Sequence, residues 1–150
     1  MKREYLELTR QIERLHRRFL DVLRMELGRM GIKELNAVQA LLLSNIGAEE
    51  IAIRDLVERG YYQGSNVSYN IKKLTDMGYL EQERSQHDRR SVIVRLTPKA
   101  LEVVHRVHEI EDTNAVNIET SGIHAPDLAT ATETLRRIEQ MWAEHIRYGG

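Results

Sequence analysis

The chain has 150 residues, of which 41% are hydrophobic and 30% charged, enough for one globular domain or two small subdomains sharing a core. Its 22 basic and 23 acidic residues nearly cancel, so the net charge of -1 does not by itself indicate a polyanionic partner. The lack of cysteine excludes a disulfide scaffold, a thiolate zinc cluster and a cysteine nucleophile. Because no long apolar run occurs and the N-terminal segment is charged, we expect no membrane span or signal peptide and a cytoplasmic location.

The charges are unevenly distributed along the chain. Residues 61–99 carry 7 basic and 4 acidic side chains, whereas residues 100–150 carry 4 basic and 9 acidic ones. A basic segment beside an acidic one is typical of a molecule that presents one face to a polyanion. An excess of three charges is also ordinary variation, so the charge pattern leaves both interpretations open.

The first predicted helix is long and amphipathic. Its apolar residues recur at alternating intervals of three and four, which is the period of one helix face. The stripe continues to about Met25 and is expected to end at Gly28 and Gly31; its members are Tyr5, Leu8, Ile12, Leu15, Phe19 and Val22.

Two shorter helices are expected next. Asn36 and Gln39 have the spacing of a capping box, which predicts a second helix over 37–46. A third helix is predicted over 51–59, because its apolar residues share one face and Gly60 follows it.

A fourth helix is predicted to begin at Gly64 and Ser65, with Gly78 in a left-handed conformation after its end. Its buried stripe is expected to be Val67, Ile71 and Leu74. The opposite face and its flanks carry side chains that can bond base edges or phosphates, although a solvated helix face has the same composition. These candidates are Ser65, Asn66, Ser68, Tyr69, Lys72 and Lys73.

A β-hairpin is predicted after this helix, with strands over 79–84 and 91–96. Arg89 and Arg90 lie at its polar tip, where a guanidinium can enter a minor groove. Asp88 is expected to hold the Arg90 side chain by a paired hydrogen bond. Thr97 and Pro98 then predict the start of a fifth helix, to about Glu119, and a sixth follows with an apolar stripe from Leu128 to Trp142.

Three helices followed by a hairpin form the order of a winged helix-turn-helix. Around the hairpin the sequence resembles the MarR family of bacterial transcription regulators in two runs, Leu74-x-x-x-Gly78-Tyr79-Leu80 and Asp88-Arg89-Arg90-Ser91-Val92-Ile93-Val94-x-Leu96-Thr97. Order and spacing agree from about Asn36 to Thr97, while Gln82 stands where the family often has Arg.

The resemblance implies a mainly α fold with a small β-hairpin wing, in which 31–97 form the winged helix-turn-helix and the long helices of 1–30 and 98–150 form a homodimer. It implies that the fourth helix enters the major groove of a pseudo-palindromic DNA operator, with residues 65–73 facing it. Asp88 and Arg90 would belong to the wing in the minor groove. A small anionic aromatic effector between the dimerisation and DNA-binding regions is a further implication.

Other classes of function find little support in the sequence. No phosphate-binding loop, nucleophile elbow or spaced carboxylate pair occurs, so we expect no enzyme activity and no cofactor. His105 and His108 with nearby acidic residues could bind a metal, but a solvated helix face explains them better, and we expect no metal site. The alternative function is a winged-helix protein-interaction module or adaptor without specific DNA binding.

Overall fold

The computed structural model describes residues 1–59, 62–88 and 90–149. Its elements in chain order are α1 Lys2–Arg29, α2 Ala37–Ile46, β1 Ile51–Ala52, α3 Ile53–Glu58, α4 Gly64–Asp76, β2 Leu80–Arg84, β3 Val92–Leu96, α5 Pro98–Thr120 and α6 Ala125–Tyr148. This confirms a mainly helical winged helix-turn-helix with a small sheet. The chain forms two compact units, residues 1–110 and 111–150. Among the described helices, none combines the length and apolarity that a membrane crossing requires.

The sheet has three antiparallel strands in the order β1-β3-β2. In the hairpin, Leu80 pairs with Leu96 and Arg84 with Val92. The third strand corrects the sequence prediction, since Ile51 and Ala52 do not begin α3 but pair with Val94 and Ile93 of β3. Two residues are too few for a period to distinguish strand from helix, and the pairing satisfies backbone groups on the free side of β3.

The core of the first unit joins all three helices of the helix-turn-helix to the sheet and to α1 and α5. The stripe predicted for α4 is confirmed, because Val67, Ile71 and Leu74 are at most 2% exposed. Burying side chains of this size stabilises the fold by about 1.5–3 kcal/mol each. The core residues that contribute most volume are Leu27, Leu42, Leu43, Leu56, Ile71 and Leu74.

Local signals at the helix ends operate as predicted, with one exception. Asn36 Oδ1 accepts from the Gln39 N–H at 2.8 Å and Gln39 Oε1 accepts from the Asn36 N–H at 3.1 Å, so the capping box is confirmed. Gly78 follows α4 with φ of +86°, which favours glycine. Gly28 does not end α1, because a glycine with ordinary φ is tolerated in the last helical turn.

The hairpin is attached to α5 through one threonine. Thr97 Oγ1 donates to the Gly78 carbonyl at 2.7 Å and accepts from the Ala100 N–H at 3.4 Å. The same hydroxyl therefore caps the first turn of α5 and binds the turn at the end of α4, as expected for Thr before Pro98.

Candidate nucleic-acid interface

The outer face of α4 is the first part of the interface. All six residues predicted on this helix are exposed, while the opposite face is fully buried; the six are Ser65, Asn66, Ser68, Tyr69, Lys72 and Lys73. This separation follows from the 3.6-residue period, because the buried stripe leaves the remaining positions on the outside. The helix thus presents hydroxyls, an amide, a phenol and two ammonium groups on one surface.

Tyr69 is the largest exposed side chain on this face. Its ring is 63% exposed, and Lys73 Nζ lies 5.7 Å from the ring centroid, one helical turn further on. A cation at this distance is attracted to the π face of the ring. The contact keeps the tyrosine and the lysine side by side on the outer surface.

Asn70 lies on the buried side of the same helix and is a residue that the sequence interpretation missed. It is only 9% exposed, and its Oδ1 accepts from Nε2 of the buried Gln39 on α2 at 3.3 Å. Its Nδ2 donates to the Asn66 carbonyl at 3.0 Å. The signal was present, because position 70 lies about 40° from Leu74 on the helix circumference, at the edge of the apolar stripe.

The tip of the hairpin forms the second part of the interface. Ser85 Oγ accepts from the backbone N–H groups of His87 and Asp88 at 3.2 and 3.3 Å, which closes the turn. Asp88 and Arg90 are both exposed, and Arg89 lies outside the described residues.

Asp88 acts differently from the expectation. One carboxylate oxygen accepts from the Arg90 backbone N–H at 3.0 Å and the other from Ser91 Oγ at 3.1 Å. The predicted pairing of Asp88 with the Arg90 guanidinium is therefore wrong among the described side chains. A short acidic side chain in a turn bonds the main chain two residues on more readily than a distant side-chain terminus. Asp88 therefore shapes the turn through the Arg90 main chain and the Ser91 hydroxyl.

The outer face of the wing sheet carries a cluster that the sequence interpretation also missed. Arg95 of β3 contacts Glu83 of β2, Glu50 at 3.1 Å and Glu81 at 3.8 Å. The hydrogen bonds that the guanidinium donates to Glu83 and Glu50 raise the pKa of Arg95, which keeps this side chain charged. Although Arg95 contributes to the basic segment of the sequence, its charge is compensated here by carboxylates. The antiparallel register that brings Glu81 opposite Arg95 could not be read from segment charge.

The wing also contacts α4 directly. Gln82 Nε2 donates to Thr75 Oγ1 at 2.7 Å, so the residue that departs from the family pattern joins β2 to the last turn of the helix. In the described ranges, no three His, Asp or Glu side chains converge as a metal site would require.

Comparison with known proteins agrees with this geometry. Residues 35–100 match the winged helix DNA-binding domain family. The exopolysaccharide II synthesis transcriptional activator ExpG of Rhizobium meliloti (strain 1021) is 36% identical over 145 residues, which cover 97% of this chain and 75% of ExpG. The chain belongs to the MarR family of winged helix-turn-helix transcription regulators.

Solved structures, among them the following two, share the fold of this MarR-family protein. A mutant MarR from E. coli, crystallised with operator DNA, superposes with a TM-score of 0.74 at 20% identity, covering 90% of this chain and 95% of that one. The regulator BldR from Sulfolobus solfataricus gives a TM-score of 0.74 at 25% identity, and the match covers 92% of this chain and 96% of BldR. The match to ExpG and to the winged helix DNA-binding domain family makes the MarR-family chain a DNA-binding transcription regulator.

Proposed function

We propose that the protein is a homodimeric, sequence-specific regulator that binds a pseudo-palindromic duplex operator and has no enzymatic activity of its own. The observation that supports this most directly is the two-sided character of α4, with one face in the core and the other fully exposed and polar. Residues 31–97 would contact DNA, and residues 1–30 and 98–150 would form the dimer. Two copies of α4 related by a dimer axis would meet major grooves about one helical turn apart, roughly 34 Å.

In this proposal α4 is the recognition helix. Lys72 and Tyr69 point outward from its middle, where they can reach base edges, and Ser65, Asn66, Ser68 and Lys73 flank them. Hydroxyl and amide groups both donate and accept, so they can bond bases or phosphates. The lysines supply the positive charge that the phosphate backbone requires.

The wing tip is proposed to enter the adjacent minor groove. Arg90 is exposed at this tip. Asp88 stabilises the turn on which Arg90 lies, because its carboxylate accepts a hydrogen bond from the Arg90 backbone N–H. A guanidinium in a minor groove responds to its width and negative potential more than to base identity. Arg89 is proposed as a second contact of the wing tip from the sequence alone.

A small anionic aromatic effector is the proposed input signal. In the first unit, a cleft of about 350 Å³ is lined by Gly31, Ile32, Lys33, Glu34, Tyr79 and Val103. The volume is in the range of small-molecule sites, and the Lys33 ammonium could pair with a carboxylate. Occupation of this cleft would act on the loop between α1 and α2 and on the turn that follows α4.

The test compares Arg90→Ala with Lys72→Ala on a duplex selected by the wild-type protein from a randomised pool. Arg90→Ala should weaken binding on every sequence and reduce the salt slope by about one unit. Lys72→Ala should instead relax the preference at one position per half-site, by about 1–3 kcal/mol. Affinities are measured on the selected duplex and its point-substituted versions at several salt concentrations.

The matched control is Arg10→Ala, which removes the same charge from the polar side of α1 and should leave base preference unchanged. Equal losses for Arg90→Ala and Lys72→Ala on every sequence would refute direct base recognition by α4. If neither variant lost affinity, the protein-interaction module would be the better explanation.

A further inference from the structure

Two polar side chains are buried in the described part of the chain, and they contact each other. Gln39 of α2 is 4% exposed and Asn70 of α4 is 9% exposed. Both belong to the helix-turn-helix, and their bond joins its first helix to the helix that carries the exposed polar face. Removing polar groups from water is costly unless they are hydrogen-bonded, so this pair needs an explanation beyond packing.

The bond between the two side chains is part of a directed series. The Asn36 N–H donates to Gln39 Oε1, Gln39 Nε2 donates to Asn70 Oδ1, and Asn70 Nδ2 donates to the Asn66 carbonyl. Each amide has one acceptor and one donor end, and every end in the series meets its complement. Reversing either amide would set donor against donor or acceptor against acceptor, so both orientations are fixed.

This series constrains α4 in a way that its apolar contacts do not. The burial of Val67, Ile71 and Leu74 stabilises the helix without a directional requirement, so it discriminates between small rotations of the helix less sharply than a hydrogen bond does. A hydrogen bond weakens steeply when its angle falls, so the Gln39–Asn70 bond penalises such rotations. Asn66, at the far end of the series, is itself on the proposed DNA-contacting surface.

We infer that the Gln39–Asn70 pair is a positioning device that sets the rotation of α4 and thereby determines which base edges its outer face can reach. The inference rests on the proposed function, in which α4 contacts bases. Asn70 and Gln39 touch no DNA in this scheme; they act through the residues that do. Buried polar bonds serve such specificity roles in other helical proteins, where they cost stability but select one arrangement.

The test replaces both polar partners with apolar side chains of similar size, in the double variant Gln39→Met with Asn70→Leu. Replacing both ends of the Gln39–Asn70 bond leaves neither amide unpaired, and the Asn36 N–H, which loses Gln39 Oε1, belongs to an exposed residue and can bond water. The variant should therefore lose one capping bond but fold and dimerise as the wild type does. Its affinity for a random duplex and its salt slope should not change, since the exposed lysines remain. The preference for the duplex selected by the wild type over point-substituted duplexes should fall about tenfold, as expected when one base contact per half-site is misplaced.

Ile71→Val is the matched control, because it removes one methylene group from the neighbouring buried position and breaks no polar bond. It should lose stability while keeping the wild-type base preference. A second test variant, Gln39→Glu, keeps the acceptor that completes the capping box but removes the donor to Asn70, and it should also lower the preference.

The outcomes separate this inference from the function on which it rests. If the wild type shows no preference among duplexes, the proposed function fails. If the wild type discriminates and a folded Gln39–Asn70 variant discriminates within about twofold of it, only the positioning role is wrong. A loss of preference in Ile71→Val equal to that of the double variant would also overturn it, because general loosening of the core would then explain both.

Discussion

Tyr79, Glu34 and Lys99 come from separate parts of the first unit, and their side chains meet in one cluster. Its ring is 3% exposed, its hydroxyl donates to the Glu34 carboxylate, and Lys99 Nζ lies 4.4 Å from the ring centroid. Lys99 also lies 3.1 Å from Glu34 and donates to the Met77 carbonyl at 3.1 Å. The cluster therefore joins the loop before α2, the end of α4 and the first turn of α5.

This cluster predicts a stability change at alkaline pH. Burial, and then the bond to Glu34, raise the pKa of Tyr79 above its ordinary value of 10.0. The folded protein keeps the phenolic proton when the unfolded chain has lost it, so this contribution is complete below about pH 10 and is lost as the pH rises above it. The Tyr79→Phe variant has no phenolic proton to lose at this position. The difference between wild type and variant in the free energy of unfolding should therefore shrink above pH 10. Urea unfolding across this range measures it.

Tyr5→Phe, at a tyrosine 43% exposed on α1, is the control for alkaline effects elsewhere in the molecule. If the difference between wild type and Tyr79→Phe stayed constant from pH 8 to about 11, the raised pKa would be wrong.

Individual side chains were predictable where local geometry decides their environment. The exposure of Lys72 and Tyr69 follows from the period of the α4 stripe. The roles of Asn70 and Arg95 were not predictable, since each depends on a residue distant in sequence: Gln39 is 31 positions from Asn70, and Glu50 is 45 from Arg95. Periodicity assigns a residue to a face but does not identify the side chain it meets there.

At the level of elements, glycine has opposite effects at two helix ends. After α4, the Tyr79 N–H donates to the Leu74 carbonyl at 2.9 Å and the Gly78 N–H to the Thr75 carbonyl at 3.1 Å. This is a Schellman motif, which requires a left-handed residue at Gly78. Gly28, by contrast, lies inside α1, and a Cβ there would meet no atom within 4 Å.

The two positions give a matched pair of substitutions. Gly78→Ala should destabilise the protein by about 1–2 kcal/mol, since an L-residue is strained at positive φ although space is available. Gly28→Ala should instead stabilise it by up to about 1 kcal/mol, because alanine loses less backbone entropy on entering a helix. Urea unfolding midpoints at neutral pH measure both changes in stability. If both variants gained stability, or both lost it, the assigned backbone conformations of the two glycines would be contradicted.

Elements with strong local signals were predicted, and the element without one was missed. The capping box before α2 and the Thr97-Pro98 start of α5 are each encoded within four residues, and both are observed. Strand β1 has only two residues, and it exists because Ile51 and Ala52 pair with β3 more than forty positions later. No window of local sequence contains that partner.

At the scale of the whole molecule, the terminal helices have more apolar surface than the chain itself covers. Leu15 and Phe19 of α1 are 59% and 52% exposed, and Leu128 and Trp142 of α6 are 51% and 39% exposed. Among the described residues of α6, no side chain is buried. Exposed apolar stripes of this length on amphipathic helices are typical of helix–helix interfaces. The sequence predicted these stripes, because their period is local.

The final prediction concerns the dimer. The wild type should sediment at micromolar concentration with twice the chain mass of 17.5 kDa. Phe19→Glu should weaken dimerisation at least tenfold, since a carboxylate would be desolvated in the interface, while helical content remains because the side chain is 52% exposed in the single chain. Arg17→Gln is the control, because it changes the net charge by the same amount. Position 17 lies on the opposite side of α1, since positions two apart are about 200° apart on a helix, so this variant should remain dimeric.

The monomeric Phe19→Glu protein should then protect a single half-site in footprinting, whereas the wild type protects two. A wild type that sediments as a stable monomer would refute the dimer, and a Phe19→Glu variant that remains dimeric would exclude α1 from the interface.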